Sequence, residues 1–390
     1  TIPVLLLFAD TGGGHRSAAQ AVAETLEHEW PGVFAPVLYD PLRTQRAPRP
    51  LRWVAGLYGP TVRTAPWAWG ALYHAFDSRP AAELLRRTWL HLADAPVAEA
   101  VATFQPAAVL SFHPLTTAAA VRAVRRHLVG TSVVTVVTDL VTTHAMWRYD
   151  AVDRIVVPSA AVGRRFLEEG IAPKRCVDAG LPVASAFRTA MASPHQQRAL
   201  RQRLGMHPRR FLVVLAGGAE GSGPIACSAA AVMRAFDDVD VVAICGRNRR
   251  LERRLRRLAA HSAARLTVKG FVDNIAEWYR AADLVIIKAG PHTIAEATCC
   301  GAALLITSHL PGQEHGNTEL VVGAGAGLHT PRSGDVVDAI ARLRAEPASL
   351  QAMRRAALSM ARPAAARAVA SLVADLVSRS ATRTEQHGAA

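Results

Sequence analysis

Short apolar runs alternate with segments of helical periodicity along most of the chain. Each half opens in the same way, with a continuous apolar run, a glycine-rich loop and a helical segment. Strands that alternate with helices predict a parallel sheet covered on both faces. The predicted strands are residues 4–8, 108–111, 133–137, 154–157, 211–215, 239–245, 266–268, 284–287 and 303–307.

This repetition predicts an α/β protein with two doubly wound domains. We expect residues 1–184 to form the first domain, with a C-terminal helix at residues 363–378 rejoining it. Residues 185–362 are expected to form the second domain. The polar tail at residues 379–390 is predicted to be disordered.

Composition limits the kinds of partner. The 390 residues carry a net charge of +14, which favours phosphate-bearing substrates, acidic lipid surfaces or nucleic acid. The five cysteines show no metal-binding spacing, so reduced thiols in a cytosol are expected. No apolar run approaches the roughly 20 residues of a membrane span, so any membrane contact is expected to be peripheral.

A stretch rich in tryptophan and arginine, residues 43–89, interrupts the α/β pattern. Aromatic side chains mixed with arginine suit the headgroup level of a membrane, and they also suit stacking on nucleic acid. The core of a helical subdomain explains the aromatic side chains equally well. The candidate membrane contacts are Trp53, Trp67, Trp69, Arg49 and Arg52.

The first glycine loop carries a candidate base. Gly13, Gly14 and His15 follow the first strand, at the sheet edge where open α/β sheets place ligands. Glycines let a substrate approach the backbone, and a histidine accepts a proton near neutral pH. A capping histidine is the alternative interpretation.

The second half carries three loops suited to a nucleotide sugar. The loop at residues 217–223 offers backbone amides for a diphosphate, although an ordinary turn is the alternative. Residues 288–296 lead from a strand into a helix whose first amides suit phosphate, with Glu296 placed for ribose hydroxyls. Residues 312–317 carry amide and carboxylate groups suited to sugar hydroxyls. Together with a base in the first half, this is the layout of a GT-B glycosyltransferase, whose two domains face each other across a cleft.

Several motifs resemble those of one family, over about residues 4–327. The family is that of monogalactosyldiacylglycerol synthase and the processive diacylglycerol glycosyltransferases, which is related to the peptidoglycan N-acetylglucosaminyltransferase. The similar stretches are DTGGGHRSAAQAV, SFHPL, VVTDLVTTHAMW, VVPS, GLPV, GGAEGSGP, CGRN, KGFVDNIAEW, KAGPHTIAEA and GQEHGN.

The resemblance implies inverting transfer of galactose or glucose from a UDP-sugar to diacylglycerol, without a metal or other cofactor. It implies that His15 is the general base and that Asp139 orients a histidine or binds the acceptor. The implied acceptor-side residues are Gly13, Gly14, His113, His144 and Trp147. The implied donor-binding residues are Gly217, Gly218, Gly221, Ser222, Arg247, Phe271, Lys288, Gly290, Pro291, His292, Thr293, Glu296, Gln313, Glu314 and Asn317.

The resemblance also implies a peripheral protein on the cytoplasmic face of the cell membrane, cytosolic when unbound. The expected partners are UDP-galactose or UDP-glucose, diacylglycerol and an anionic membrane surface, without nucleic acid. One departure is His292, which stands where the family has a glycine, beside the expected diphosphate. The alternatives are an N-acetylglucosamine transfer to another lipid, a UDP-sugar epimerase, and a non-catalytic nucleotide- or nucleic-acid-binding protein.

Overall fold

The computed structural model describes residues 1–188, 191–260 and 265–388. The chain divides into two compact units. The first contains Thr1–Thr61, Trp67–Ser185 and the chain from Arg362 onward, and the second contains Val62–Pro66 and Ala186–Ala361. Within the described residues, no helix combines the length and the apolar character required to cross a membrane.

The first unit is built on a six-stranded parallel sheet with strand order β2-β1-β3-β4-β5-β6. Its strands are β1 Ile2–Leu7, β2 Phe34–Tyr39, β3 Ala108–Ser111, β4 Ser132–Val136, β5 Arg154–Val157 and β6 Cys176–Asp178. Its helices are α1 Gly14–Glu29, α2 Arg49–Thr64, α3 Pro66–Phe76, α4 Arg79–Arg87, α5 Asp94–Phe104, α6 Pro114–His127 and α7 Ala160–Glu168. It also contains the short 3₁₀ helices Trp89–Ala93, Ala145–Trp147 and Pro173–Arg175, and a further one, Ser185–Phe187, spans its boundary with the second unit.

The second unit repeats the design, with a six-stranded parallel sheet in the order β12-β11-β10-β7-β8-β9. Its strands are β7 Phe211–Ala216, β8 Val239–Ile244, β9 Leu266–Lys269, β10 Leu284–Lys288, β11 Ala303–Ser308 and β12 Gly327–His329. Its helices are α8 Pro194–Arg203, α9 Ile225–Ala235, α10 Arg249–Ala260, α11 Ile275–Ala281, α12 Pro291–Cys299, α13 His315–Gly323, α14 Ser333–Ala345 and α15 Pro347–Met360.

Alternate side chains of the central strands pack on opposite faces of the first sheet. Leu5 and Leu7 of β1 belong to one buried cluster, whereas Val4 and Leu6 belong to the other. The second cluster also contains apolar side chains of α1 and of the last helix, α16 Ala365–Gly388. The C-terminal helix therefore completes the core of the first unit.

The predicted pair of doubly wound parallel sheets is confirmed. All nine predicted strands are present, with ends displaced by at most two residues. The prediction of a disordered tail is wrong for residues 379–388, because α16 continues to Gly388; residues 389–390 lie outside the described chain.

Candidate active site

In the first unit, the loop between β1 and α1 turns through two left-handed glycines. Gly12 has φ 81° and Gly13 has φ 86°, which other residues rarely adopt. A Cβ atom on Gly12 would also lie 3.0 Å from Cε1 of Tyr58. The chain then enters α1 at Gly14, which places His15 in the first helical turn at the carboxyl edge of the sheet.

The imidazole of His15 is fixed through Nδ1. This nitrogen lies 2.8 Å from the carbonyl oxygen of Phe112 and 2.7 Å from Oγ1 of Thr138. Because a carbonyl only accepts hydrogen bonds, Nδ1 carries the proton, and Nε2 holds the lone pair. Burial lowers the pKa of His15 to about 4, against a smaller opposing effect of the Phe112 carbonyl. The ring is therefore neutral at pH 7, as a general base must be.

A second histidine packs against His15. The ring centroids of His113 and His15 are 4.4 Å apart, in an edge-to-face arrangement. His113 caps α6, where its Nδ1 accepts from the amide of Leu115, and its Nε2 lies 3.2 Å from Oγ1 of Thr11. Burial, followed by the neighbouring His15, lowers the pKa of His113 well below its usual value. His113 thus serves partly as a structural cap.

Asp139 holds Trp147 in the loop that follows β4. The indole Nε1 of Trp147 donates to Oδ2 of Asp139 at 2.6 Å, and both residues are buried. Nδ1 of His15 is held by Phe112 and Thr138, so the prediction that Asp139 orients a histidine does not apply to this nitrogen. Since the Trp147 ring lies 6.2 Å from that of His15, Asp139 supports the wall beside the base. An acceptor contact by Asp139 remains a prediction.

The tryptophan- and arginine-rich stretch forms α2, α3 and α4. Trp53 is 77% exposed and Trp67 is 74% exposed, and Arg49 and Arg52 are exposed as well. Trp69, by contrast, packs edge to face on Tyr58 with centroids 4.9 Å apart and is only partly exposed. Trp69 therefore belongs to the packing among these helices, and its contact with a membrane remains a prediction.

In the second unit, the loop after β7 packs backbone to backbone on the loop after β8. Gly221 has φ 56°, and a Cβ atom there would lie 2.0 Å from the carbonyl oxygen of Cys245. Gly217 is crowded by Ser222 and by α9. The amide of Arg247 donates to the carbonyl of Ala219 at 2.8 Å, which ties the loops together. Such close contact requires glycine and holds the loop in one shape.

Arg247 and Phe271, which follow β8 and β9, pack against each other. The guanidinium carbon of Arg247 lies 5.2 Å from the ring centroid of Phe271, and this ring is 54% exposed. The exposed ring offers a stacking surface for a planar group.

The helix α12 begins at the end of β10 with no side-chain cap. Gly290 is its N-cap residue, and Pro291, His292 and Thr293 fill its first turn. A Cβ atom on Gly218 would lie 3.7 Å from Oγ1 of Thr293, so the glycine loop faces this helix end. His292, at the position where the resemblance implies a glycine, is 8% exposed. Uncapped helix amides beside a glycine loop suit an anionic group.

Lys288 and Glu314 form an ion pair beside that helix end. Glu314 is 3% exposed, and its second oxygen accepts from the amide of Leu310 at 2.8 Å. Asn317 is fully buried and donates to the carbonyl of Ala289 at 2.9 Å. Both side chains hold the loop in place, and the donor contacts predicted for Glu314 and Asn317 remain predictions. Gln313 is partly exposed on the same loop.

Glu296 lies on α12, one turn into the helix. Burial raises its pKa to about 8, so the carboxyl group is mainly protonated at pH 7. A carboxylic acid in this state both donates and accepts hydrogen bonds. Strand ends and loops of the second unit surround one pocket. Its lining includes Gly221, Ser222, Gly223, Pro224, Asn248, Lys288, Ser308, His309 and Leu310.

Comparisons with known proteins assign this chain to a family. A family model described as monogalactosyldiacylglycerol (MGDG) synthase matches residues 15–183, and one described as the glycosyltransferase family 28 C-terminal domain matches residues 212–369. The chloroplastic monogalactosyldiacylglycerol synthase of Spinacia oleracea is 32% identical over 370 residues, which are 92% of this chain and 70% of that protein. The chain belongs to the monogalactosyldiacylglycerol synthase family.

Members of this family are glycosyltransferases, and solved structures place the chain in the GT-B fold. MurG of Acinetobacter baumannii is 16% identical with a TM-score of 0.60, covering 96% of this chain and 100% of that one. The UDP-GlcNAc 2-epimerase of Neisseria meningitidis, solved with UDP-GlcNAc, is 12% identical with a TM-score of 0.61, covering 97% of this chain and 100% of that one. At such identities these likenesses concern the fold, and they confirm the predicted GT-B class.

Three groups beside the candidate sites of this family member were missed by the sequence analysis. Thr138 and Phe112 hold His15, and Asn248 donates to the carbonyl of Gly221 at 2.9 Å. Thr138 precedes Asp139 within the TDL motif, and Asn248 is the last residue of the CGRN motif. Both residues could therefore have been selected from these motifs. Phe112 acts through its backbone, which leaves no trace in residue type. The described residues contain no cluster of three or more His, Cys, Asp or Glu side chains suited to a metal.

Proposed function

We propose that this glycosyltransferase moves a hexose from UDP-galactose or UDP-glucose to diacylglycerol and inverts the anomeric configuration. The observation that carries the proposal is the geometry of His15, whose Nδ1 proton is committed to Phe112 while Nε2 keeps its lone pair. A neutral imidazole at a sheet edge suits removal of a proton from an acceptor hydroxyl. The names of the curated relatives support galactose and diacylglycerol as substrates.

The proposed reaction is a single displacement. Nε2 of His15 takes the proton of the acceptor hydroxyl while its oxygen bonds to the anomeric carbon of the sugar. The bond from that carbon to the UDP oxygen breaks, and UDP leaves with the electron pair. Charge on the departing diphosphate is stabilised by amides of α12 and of the loop around Gly218, without a metal.

The donor is proposed to lie along the strand ends of the second unit. Uracil stacks on the segment that contains Phe271, and the ribose hydroxyls bind Glu296. The diphosphate binds the backbone amides of the glycine loop and of the start of α12. Lys288 adds the positive charge that a diphosphate requires. Gln313 remains the candidate for a direct sugar contact.

The acceptor is proposed to reach His15 from a membrane. Exposed Trp53 and Trp67 suit the interface region, and exposed Arg49 and Arg52 suit anionic headgroups. This favours peripheral binding to the cytoplasmic face of the cell membrane. Nucleic acid is not proposed as a partner.

The decisive experiment is sugar transfer in anionic-lipid micelles. Radiolabelled UDP-galactose and UDP-glucose are supplied separately with diacylglycerol, and the lipid fraction is analysed for label. The expected result is a labelled glycolipid whose anomeric configuration, read by NMR, is inverted relative to the donor. No glycolipid with either donor, despite measurable UDP binding, would exclude diacylglycerol as the acceptor.

A further inference from the structure

The hydroxyl of Tyr73 is buried without a hydrogen bond. Tyr73 lies on α3 and is 6% exposed, and its oxygen has no hydrogen-bond partner among the residues that the structure describes. Leaving a buried donor unsatisfied costs roughly 1–3 kcal/mol, so phenylalanine would serve the fold better. A tyrosine at this position therefore requires another reason.

The surroundings of Tyr73 are those of the candidate acceptor site. Its ring packs edge to face on His144, with centroids 4.8 Å apart. One turn further along, Asp77 accepts from the amide of Ala145 at 2.7 Å, which fixes the end of α3 to the loop after β4. The same loop carries Trp147, which lies beside His15.

Charge near Tyr73 selects the kind of ligand. Burial, followed by the nearby Asp139 and Asp77, raises the pKa of Tyr73 against a smaller opposing effect of Arg165, so the hydroxyl keeps its proton and two carboxylates outweigh one guanidinium around it. An anionic group is disfavoured there, whereas a neutral oxygen that accepts a hydrogen bond is favoured. Ester carbonyls and hydroxyls of a neutral lipid have this character.

One side of α3 is exposed, and the opposite side is buried against the loop after β4. Trp67 and Leu72 are 74% and 51% exposed, whereas Tyr73 faces the loop after β4. One helix thus carries both exposed apolar side chains and the unsatisfied hydroxyl.

We propose that the Tyr73 hydroxyl binds the acceptor, by donating a hydrogen bond to a neutral ester or hydroxyl oxygen of the lipid. This inference rests on the proposed function, since it assigns a residue to the acceptor of that reaction. By this hydrogen bond Tyr73 holds the lipid so that the free hydroxyl of the lipid points at His15. Tyr73 itself takes no part in proton transfer.

The test compares Tyr73→Phe with Tyr39→Phe in the full chain. Tyr39 is the matched control, because its hydroxyl donates to the carbonyl of Pro96 at 3.2 Å within the same unit. Melting temperature, UDP affinity by calorimetry, and kcat and KM for dioctanoylglycerol are measured. We expect Tyr73→Phe to keep or raise the melting temperature, keep the UDP affinity and raise the acceptor KM about tenfold, equivalent to about 1.4 kcal/mol.

Two results would overturn the assignment. An acceptor KM within twofold of the parent value means that the hydroxyl does not bind the lipid. A melting temperature that falls as in Tyr39→Phe means that a structural water satisfies the hydroxyl in the fold.

Failure of the proposed function is distinguishable, because then the unmodified enzyme itself makes no glycolipid. Binding of dioctanoylglycerol, followed by tryptophan fluorescence, then decides the role of Tyr73. Roughly tenfold weaker binding by Tyr73→Phe than by the unmodified enzyme supports the inference. Equal binding, or no binding by the unmodified enzyme, contradicts it.

Discussion

The carbonyl oxygen of Phe112 accepts a hydrogen bond from Nδ1 of His15 at 2.8 Å. These residues follow β3 and β1, which are neighbours in the first sheet, so the sheet itself sets the tautomer of the imidazole. A base that is fixed by backbone needs no carboxylate partner.

Replacing His15 by Ala should lower kcat about 100-fold or more, because the acceptor hydroxyl loses its base. UDP affinity should not change, since the donor is proposed to bind the second unit. Sugar transfer and calorimetric UDP titration measure the two effects. His195→Ala is the matched control, because His195 is exposed on α8. Near-normal turnover of His15→Ala would refute the assignment.

The pH profile should show an acid limb displaced from the usual histidine range. Burial lowers the pKa of His15 to about 4 from 6.5, which means that the neutral base persists as the pH falls through 6 and 5. We expect kcat/KM to stay level over that range and to fall only near pH 4. The melting temperature at each pH separates this limb from acid unfolding. If the acid limb of kcat/KM had its midpoint near pH 6.5, the catalytic base would not be the buried His15 with its lowered pKa.

The sequence predicted all the central strands but only one of the four edge strands, β9. Strands buried on both faces are continuous apolar runs, which is why β3 and β5 were placed without error. The edge strand β2 contains Pro36 and has only one neighbour, and β6 and β12 have three residues each, so none carries that pattern.

The residues of the candidate site also differ in how well the sequence predicts them. Motif residues such as His15 and Gly221 were found because a loop after a strand restricts residue type. The partners of these residues were harder to predict. Asp139 was expected beside a histidine and instead holds Trp147, since residue spacing does not show which side chain reaches which nitrogen. The role proposed for Tyr73 depends on a hydroxyl that has no hydrogen-bond partner among the described residues, which only the three-dimensional structure reveals.

Replacing Gly221 by Ala should abolish UDP binding and destabilise the second unit. The residue has φ 56°, and a Cβ atom would lie 2.0 Å from a backbone oxygen, so the loop must change shape. Gly334→Ala is the control, because nothing lies within 4 Å of its Cβ position on α14. Urea unfolding and UDP titration give both quantities. A Gly221→Ala protein that binds UDP normally would mean that the loop is no donor cradle.

Replacing Trp53 and Trp67 together by Ala should weaken binding to anionic vesicles by about tenfold or more, since both rings are largely exposed. Activity on short-chain, monomeric acceptor should remain. Co-sedimentation with vesicles and the soluble assay measure these outcomes. Trp30→Ala serves as a control, because Trp30 packs on Phe34 within the core of the first unit. Equal vesicle binding by the double variant and the parent protein would show that Trp53 and Trp67 do not contribute to membrane binding.

The protonation of Glu296 leads to a prediction about UDP itself. Burial raises the pKa of this carboxyl to about 8 from 4.5, so the free protein holds the proton at pH 7. If the ribose hydroxyls donate to the carboxylate, UDP favours the ionised form and lowers that pKa. Binding then releases up to about one proton at pH 7, and UDP affinity rises with pH until it levels off near pH 8.

Calorimetry in two buffers of different ionisation enthalpy measures the protons released. Glu296→Gln is the matched variant, because the amide resembles the protonated acid in shape and cannot ionise. It should bind UDP without the extra proton release, and the difference between the proteins removes the contribution of the UDP phosphates. Equal release by both proteins would mean that Glu296 keeps its proton with UDP bound. The ribose hydroxyls would then accept from the acid or bind elsewhere.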